Sequence, residues 1–357
     1  MMEDAAQNLA SLADQHGIRT LVGNLETKVF TLRIGDWTIP ASRNDGQRPT
    51  CYINSPSRAF LEYGAEELDR LTANPFARMG GRGLLATLSP IVRATGLDRQ
   101  IQLNNWLVAT NILPPASGEE WLSLFESVAA NGGNFIPVLR SMNQTAHRSL
   151  LAAFEAEGLT LLPMRKVFIR DYALAQEWSS DEAKDAKLLT DQRFDQRSGD
   201  TFSKAEFNRA ADLYAQLYLE KYSRLNPHYS ATFLEVAQRR LGLRLEGLFD
   251  TSDTMVGVIG RYQQHGTLTG PIVGYDTTLP AKLGLYRRLR AINHGFARRG
   301  ALLYNMSAGA EEFKKLRGGR ASIEYMVADF RQAKASQRRA AKALSGLCQW
   351  AAKRMIA

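Results

Sequence analysis

The short apolar run Ala301 to Tyr304 ends in Asn305-Met306-Ser307-Ala308-Gly309, and an amphipathic turn carrying Phe313 and Lys314 follows. Upstream, a second apolar run ends in Gly274-Tyr275-Asp276, just ahead of a long basic helix. Strand ends that open into small polar residues and a helix N-terminus are where α/β folds place chemistry, because backbone N–H groups and side chains converge there. At such a place Asp276 can orient or deprotonate an attacking amine, and Tyr275 can protonate a leaving thiolate or hydroxyl. Asn305 and Ser307 can hydrogen-bond a carbonyl or the oxyanion of a tetrahedral intermediate. Each also has a plainer role: Asp276 as a turn or helix cap, Tyr275 as packing, Asn305 and Ser307 as partners for local backbone. Ser307 is not read as a covalent nucleophile, since Asn-Met-Ser-Ala-Gly is not Gly-x-Ser-x-Gly and no His accompanies it locally.

Around these ends lie candidate binding groups. Lys314 follows an aromatic anchor in the first turns of a short helix, where it can take a phosphate or carboxylate or stand as a plain surface lysine. Lys282, Arg287, Arg288 and Arg290 open and line the basic helix, either to meet phosphates or as a solvated face. The polar loop 221–227 offers Lys221, Tyr222 and Asn226 for substrate contact. Asn104, Asn105 and Asn111 flank Trp106 in an amide-rich stretch that reads as a structural network, because buried amides need partners. The string Arg78 to Gly83 fits a glycine-rich phosphate loop by letter, but it follows a helix and reads as a chance match or flexible turn. The five His are scattered singly, so no metal site is expected, and Cys51 and Cys348 read as two buried or incidental thiols.

At 357 residues the chain has room for two ordinary domains. No run approaches the roughly 18 apolar residues of a membrane span, so no membrane partner is expected. Acids at Glu3 and Asp4 stand where a signal peptide needs a basic region, which points to a cytoplasmic protein. The net charge of +9 is uneven: 17 Lys and Arg against four acids from 282 to 357 give that segment +13, leaving −4 for 1–281. Such a block suits a phosphate-rich partner, whether coenzyme A, a carrier-protein phosphopantetheine or tRNA, and equally a solvated helix face.

These residues must be positioned by a regular alternation of elements. Residues 4–16 read as a helix stopped by Gly17, Val29 to Ile39 as a hairpin turning at Gly35-Asp36, and Ala59 to Leu71 as a helix capped by Ser57. Helix 83–94, strand 100–109, helix 118–130, strand 135–139, helix 145–157 and strand 159–169 complete a first lobe, 1–175. Residues 176–203 are polar and without period, and read as a connection. A second, catalytic lobe over 204–330 has helices 204–220 and 230–240, strands 243–249, 255–262 and 267–273, helix 281–299, strand 301–305 and strand 322–327. A basic helix fills 331–357. The alternation predicts a layered α/β or α+β protein.

The second-lobe order resembles the GNAT acyltransferase fold, more specifically the branch of FemAB-type aminoacyl ligases and BioF2-like acetyltransferase domains. The resemblance rests on Gly274-Tyr275-Asp276, the helix Leu283 to Arg299 ending in Gly300, and the strand-turn Leu302 to Gly309 followed by Phe313-Lys314. In that branch the equivalent strand commonly ends in an acidic or amide residue; here Asn305 replaces the usual Asp. The resemblance implies two tandem GNAT-like lobes, each a mixed, largely antiparallel twisted sheet flanked by helices. It departs at Asp276 to Gly284, which lacks the glycine pattern that holds the coenzyme A pyrophosphate in acetyl-CoA-dependent GNATs. What it implies in function is amide formation in biosynthesis, by transfer of an acyl group from acyl-CoA or an acyl carrier protein to an amine of a small molecule or amino acid, with no tightly bound cofactor. The alternatives are an aminoacyl-tRNA-dependent ligase and a non-catalytic binding module. No oligomeric state follows from the sequence.

Overall fold

The computed structural model describes residues 2–46, 51–71 and 75–356. The first half runs α1 (Met2–His16), α2 (Ile18–Leu21), β1 (Lys28–Ile34), β2 (Trp37–Asp45), α3 (Gly64–Leu71), α4 (Pro75–Thr95), β3 (Arg99–Leu103), α5 (Gly118–Asn131), β4 (Ile136–Asn143), α6 (Arg148–Ala156) and β5 (Thr160–Asp171). The second half runs α7 (Ser180–Leu188), β6 (Asp195–Ser198), α8 (Lys204–Ala215), α9 (Ala231–Arg240), β7 (Arg244–Phe249), β8 (Met255–Gln264) and β9 (Thr267–Tyr275). It closes with α10 (Leu285–Arg299), β10 (Leu303–Asn305), α11 (Glu311–Leu316), β11 (Arg320–Ala328) and α12 (Ala335–Ile356); Ala357 lies outside the described residues.

Local chemistry explains most boundaries. Ser117, Ser179 and Ser203 each accept the N3 backbone N–H while Glu120, Glu182 and Glu206 reach back, forming three capping boxes that start α5, α7 and α8. Ser57 does not cap the helix after it: its hydroxyl bonds Asp98, and Arg58–Tyr63 winds as a π-helical turn into α3. The string Arg78 to Gly83 lies inside α4, so no phosphate loop forms there.

The eleven strands among the described residues form one mixed sheet in the order β1-β2-β3-β4-β11-β5-β10-β9-β8-β7-β6. Among the described residues only β3–β4 and β9–β10 are parallel, and the other pairs are antiparallel. Each half therefore carries one parallel pair in an antiparallel frame, the architecture implied by the GNAT resemblance. The halves exchange strands. β5 lies between β11 and β10 of the second half, and β11 lies between β4 and β5 of the first. By sequence position β11 falls in the lobe 204–330, yet it pairs with β4 and β5, and the basic helix α12 packs on β5 and α4. One apolar cluster also spans both halves, with Leu9, Leu21, Trp106 and Leu107 against Phe207, Leu213, Tyr229 and Phe233.

Residues 176–203 are not a loop. They form α7 and the edge strand β6, and their acids meet the arginines of α10 and α11. Buried Asp185 accepts Arg287 Nε and Arg317 Nε, each at 2.6 Å, on its two oxygens. Arg288 gives Nη2 to Asp191 at 2.6 Å and its other N–H groups to the carbonyls of Leu283 and Leu188. Glu182 accepts from Tyr172 Oη and lies 3.2 Å from His294 Nδ1. Burial opposes the Glu182 charge, but the His294, Tyr172 and Ser179 donors outweigh it and hold the carboxyl at about 2. Burial in turn pushes His294 below its ordinary value.

Two outcomes follow. Fragments 1–203 and 204–357, expressed apart, each lack a strand from the middle of the sheet, so neither is expected to give a cooperative melt while the intact chain unfolds in one transition; a fragment with a dispersed NMR spectrum would contradict this. Asp185→Asn removes one partner of a buried charged group and is expected to cost about 3–5 kcal/mol in urea unfolding; a loss under about 1 kcal/mol would mark the pairs as ordinary surface bridges.

Candidate functional site

At the end of β3 the chain leaves the sheet through left-handed Asn104 (φ 51°) and Leu107 (φ 60°). An amide network holds this path. Asn104 Nδ2 donates to Ile112 O (2.9 Å), Trp106 Nε1 donates to Asn104 Oδ1 (3.0 Å), and Asn105 Nδ2 donates to Ser42 Oγ (2.7 Å). Asn111 Oδ1 accepts Trp106 N at 3.0 Å. The amide-rich stretch is thus the structural network its composition suggests. From the other half, Tyr229 Oη donates to Leu107 O at 2.8 Å. In the facing strand β4, Met142 opposes Tyr325 and Leu139 opposes Val327, so Arg140 and left-handed Ser141 (φ 68°) form a bulge against β11. The bulge aims Ser141 Oγ at Asn111 N (2.9 Å) and Arg140 at the carbonyls of Ile53 (2.7 Å) and Ala109 (3.1 Å).

Thr110 to Ala116 thereby roofs a cleft of about 380 Å³. One wall is Ser141 and Asn143 with His147 at the start of α6; the other is His265, Thr267 and Thr269 with Leu303 and Asn305. The hairpin tips of the two halves touch where Trp37 meets His265 edge-on, ring centroids 4.7 Å apart. Parallel pairing places Asn305 beside Thr269. Asn305 Oδ1 accepts Ser307 N at 2.9 Å, which leaves its Nδ2 as a donor on the cleft wall. Thr269 Oγ1 is buried without a partner among the described residues. His147 Nδ1 accepts Asn143 N at 3.2 Å, which assigns the ring proton to Nε2. Burial pushes this imidazole down to about 4, so it is neutral at pH 7. Among the described residues the cleft is lined by neutral polar groups and apolar side chains, with no carboxylate. Fixed neutral donors of this kind are suited to charge that develops on an oxygen.

Backbone strain gathers here. Eight non-glycine residues are left-handed among the described residues. Ser141 and His265 line the cleft, Asn104 and Leu107 hold its roof, and Ser307 takes a 3.1 Å hydrogen bond from Thr110 in that roof. Strained backbone persists only where the surroundings over-determine it, and it concentrates at functional sites.

No family model and no curated protein matches the chain. Solved structures to which it is similar include FemX (8% identity over 64% of this chain and 80% of that one, TM-score 0.48). Another is L-PGS from Bacillus licheniformis (12% identity, 64% and 78% coverage, TM-score 0.44). A third is a tandem GNAT protein from the clavulanic acid biosynthesis pathway (9% identity, 64% and 75% coverage, TM-score 0.35). At these values the likeness carries no argument about chemistry; the architecture stands on the strand order itself.

The residues singled out in the sequence divide into separate places. Asn305 lines the cleft, and Ser307 sits directly behind its roof. Asp276 lies seven residues beyond Thr269 on the path of β9, roughly 20 Å away at the rise of a strand, so Asp276 and Asn305 cannot serve one reacting atom. Asp276 accepts Arg209 Nη2 at 2.7 Å and Thr278 N at 3.0 Å. Burial opposes its charge, but Thr278 and Arg209 hold the carboxyl below its usual range, which suits a turn cap and ion pair better than a base. Tyr275 packs on Tyr286 at 6.3 Å. Lys314 is buried and staples the turn, its Nζ donating to Ser307 O (2.9 Å) and Ala308 O (2.5 Å). Arg287 and Arg288 are engaged by Asp185 and Asp191, while Lys282 is exposed on a 3₁₀ turn. Asn226 is buried and gives Nδ2 to Tyr218 O and Ser223 O, while Lys221 and Tyr222 are exposed; none of the three lines the cleft. His147 and Thr269 escaped the sequence reading. A lone His has no spacing to betray it, and Thr269 gains meaning only from its register with Asn305. Among the described residues no cluster of three His, Cys, Asp or Glu could hold a metal, and no helix is long and apolar enough to cross a membrane.

His147 gives a pH test. Its folded-state pKa lies below the ordinary 6.5, so the unfolded chain takes up the proton first, and the stabilisation from this group is full above pH 6.5 and lost as pH falls toward 4. An NMR titration of the ring should show a midpoint near 4, with the Nε2–H tautomer at neutral pH; a midpoint near 6.5 would mean the ring is solvated and not part of the wall.

Proposed function

We propose that the protein transfers an acyl group to an amine in the cleft roofed by Thr110 to Ala116. The observation that carries this is the pair of neutral donors on its walls: Asn305 Nδ2, whose Oδ1 is taken by Ser307 N, and the Nε2–H of neutral His147. The amine nitrogen attacks the acyl carbonyl carbon, and these two donors stabilise the oxyanion as it forms. The C–N bond forms, the bond from the acyl carbon to the leaving sulfur breaks, and the proton shed by the amine ends on the departing thiolate. The cleft supplies proximity and charge stabilisation, and its walls contain no carboxylate to act as a base. The donor in this reading is a thioester, acyl-CoA or acyl-carrier phosphopantetheine, and the acceptor is an amine of a small molecule or amino acid.

A second reading takes the acyl group from aminoacyl-tRNA. It is favoured by α12, which carries Arg338, Arg339, Lys342, Lys353 and Arg354 and no acid over its 22 residues. The rest of the basic segment does not add to this face, because Arg288, Lys314 and Arg317 are buried in internal bonds.

Thiol release from a panel of acyl-CoAs with mixed amines, beside transfer from bulk aminoacyl-tRNA at two salt concentrations, tests both. With either donor Asn305→Ala is expected to lower kcat about 100-fold with KM nearly unchanged, the loss typical of one oxyanion donor. Asp276→Asn should leave kcat within about threefold, since it lies too far from the cleft to touch the reacting atoms. A large loss in Asp276→Asn beside an unaffected Asn305→Ala would move the chemistry to the other end of β9. Transfer from tRNA alone, falling steeply with salt, would select the second reading.

A further inference from the structure

The lining of the cleft changes character from one part to another. Asn305 and His147 bring donors to it. Other polar side chains of its roof and first wall are engaged by the protein itself. Ser141 Oγ accepts Asn111 N at 2.9 Å, Asn143 Oδ1 accepts Ala146 N at 2.9 Å, and Asn111 Oδ1 accepts Trp106 N at 3.0 Å. Thr110 Oγ1 accepts Arg165 Nη2 at 3.0 Å. A further stretch is apolar: Leu113, Pro114, Pro115 and Ala116 of the roof line the same space as Ala146 and Leu150. Leu150 follows His147 by three residues in α6, so the two share one helical face. Leu113 and Ala116 belong to the apolar cluster built on Trp121 and Phe125, and Leu150 packs against it. The apolar stretch is therefore the margin of a core and keeps its shape.

Charge is absent from this lining. Among the described residues it holds no Lys, Arg, Asp or Glu, and burial keeps both its imidazoles, His147 and His265, below their ordinary value. Arg165, the guanidinium bonded to Thr110, is already paired with Glu324 at 2.7 Å. A charged group that enters such a space gives up water and meets no counter-charge, a loss that neutral donors do not make good. An apolar chain on the same wall gains by leaving water. The volume of about 380 Å³ lies at the small end of ligand-sized clefts, enough for the reacting end of a donor and not for a whole coenzyme or carrier.

We propose that the group transferred is an uncharged, largely apolar acyl chain, with its carbonyl at Asn305 and His147 and its chain along Leu113, Ala116, Ala146 and Leu150. The proposal rests on the transfer reading and narrows it. An α-aminoacyl group carries an ammonium one carbon from the carbonyl, where the lining offers no carboxylate. Of the two donors, the acyl thioester is the one this cleft fits.

Binding separates this proposal from catalysis. The full chain is titrated at pH 7 with hexanamide, which has the carbonyl oxygen and an uncharged chain. Norleucinamide is the same molecule with an α-ammonium, and adipamate has the same length and ends in a carboxylate. Kd is read from the NMR signals of the His147 and His265 rings. Hexanamide is expected to shift both, with affinity rising about fourfold per methylene from butanamide through pentanamide. Norleucinamide and adipamate are each expected to bind at least about tenfold more weakly than hexanamide. Leu150→Lys sets a cation in the apolar wall and is expected to weaken hexanamide and strengthen adipamate, each about tenfold. A charged probe that binds as tightly as hexanamide, an affinity flat with chain length, or rings that no probe moves overturns the proposal, and the unmodified protein decides all three. The transfer reading fails differently: hexanamide bound as described, with no acyl-CoA consumed by any amine, would leave a binding site for neutral chains and remove the catalysis.

Discussion

The exchange of β5 and β11 is the constraint on which the rest depends. A sheet with two parallel pairs would fall naturally into two units, each closing on its own last strand. Here the last strand of each unit lies among the other's strands, so neither half can satisfy its backbone N–H and C=O groups alone. The exchange sets β10 beside β5 and thereby places the Asn305–Ser307 turn against Thr110 of the other half. The cleft has one wall from each half, and its geometry is fixed by backbone pairing and not by a hinge. The shared apolar cluster works in the same direction, since large apolar interfaces do not slide.

Charge follows the same logic. Read along the sequence, the chain looks divided into a mildly acidic body and a basic end. In three dimensions much of that division cancels internally: Glu182, Asp185 and Asp191 of the apparent connection face His294, Arg287, Arg317 and Arg288. These are buried or half-buried pairs in which each ion also takes a geometry set by further hydrogen bonds, the condition under which such pairs hold a structure in register. The basic residues of α12 lie outside this internal cancellation, on an exposed helix face that carries no acid.

Sequence periodicity was enough to read the order of elements and their mixed α/β layering, because amphipathic helices and alternating strands write their period directly into residue types. α1, the β1–β2 hairpin, α5, α8 and β7 to β9 lie close to where that period places them. The failures have physical causes. α7 is short and mostly polar, and the charges that made 176–203 resemble a connection are the partners that bury it. Strand exchange leaves no local mark at all. Of the candidate site, Asn305 and Ser307 were legible because a strand ending in small polar residues is a local signal. Asp276 gave the same signal, and only the length of β9 separates it from them. Lys314 was legible as a special lysine but not as a buried one, since its ligands are the backbone carbonyls of the turn it closes.

The position of the strain says what the cleft needs. Left-handed backbone at a non-glycine residue costs on the order of 1–3 kcal/mol, and Leu107 carries that cost with an apolar side chain that offers its own backbone no hydrogen bond. The energy comes from elsewhere: a Tyr229 hydroxyl across the interface, two arginines on Ala109 O, and amides at Asn104, Asn105 and Asn111. All of these act on the segment that leads into and forms the roof of the cleft. A roof needed only to exclude water could be built from unstrained loop. One held this tightly fixes the spacing between the wall of Ser141, Asn143 and His147 and the wall of Thr269 and Asn305. Polar groups held at fixed positions need no rearrangement when charge develops beside them, which is the condition under which electrostatic stabilisation is strongest.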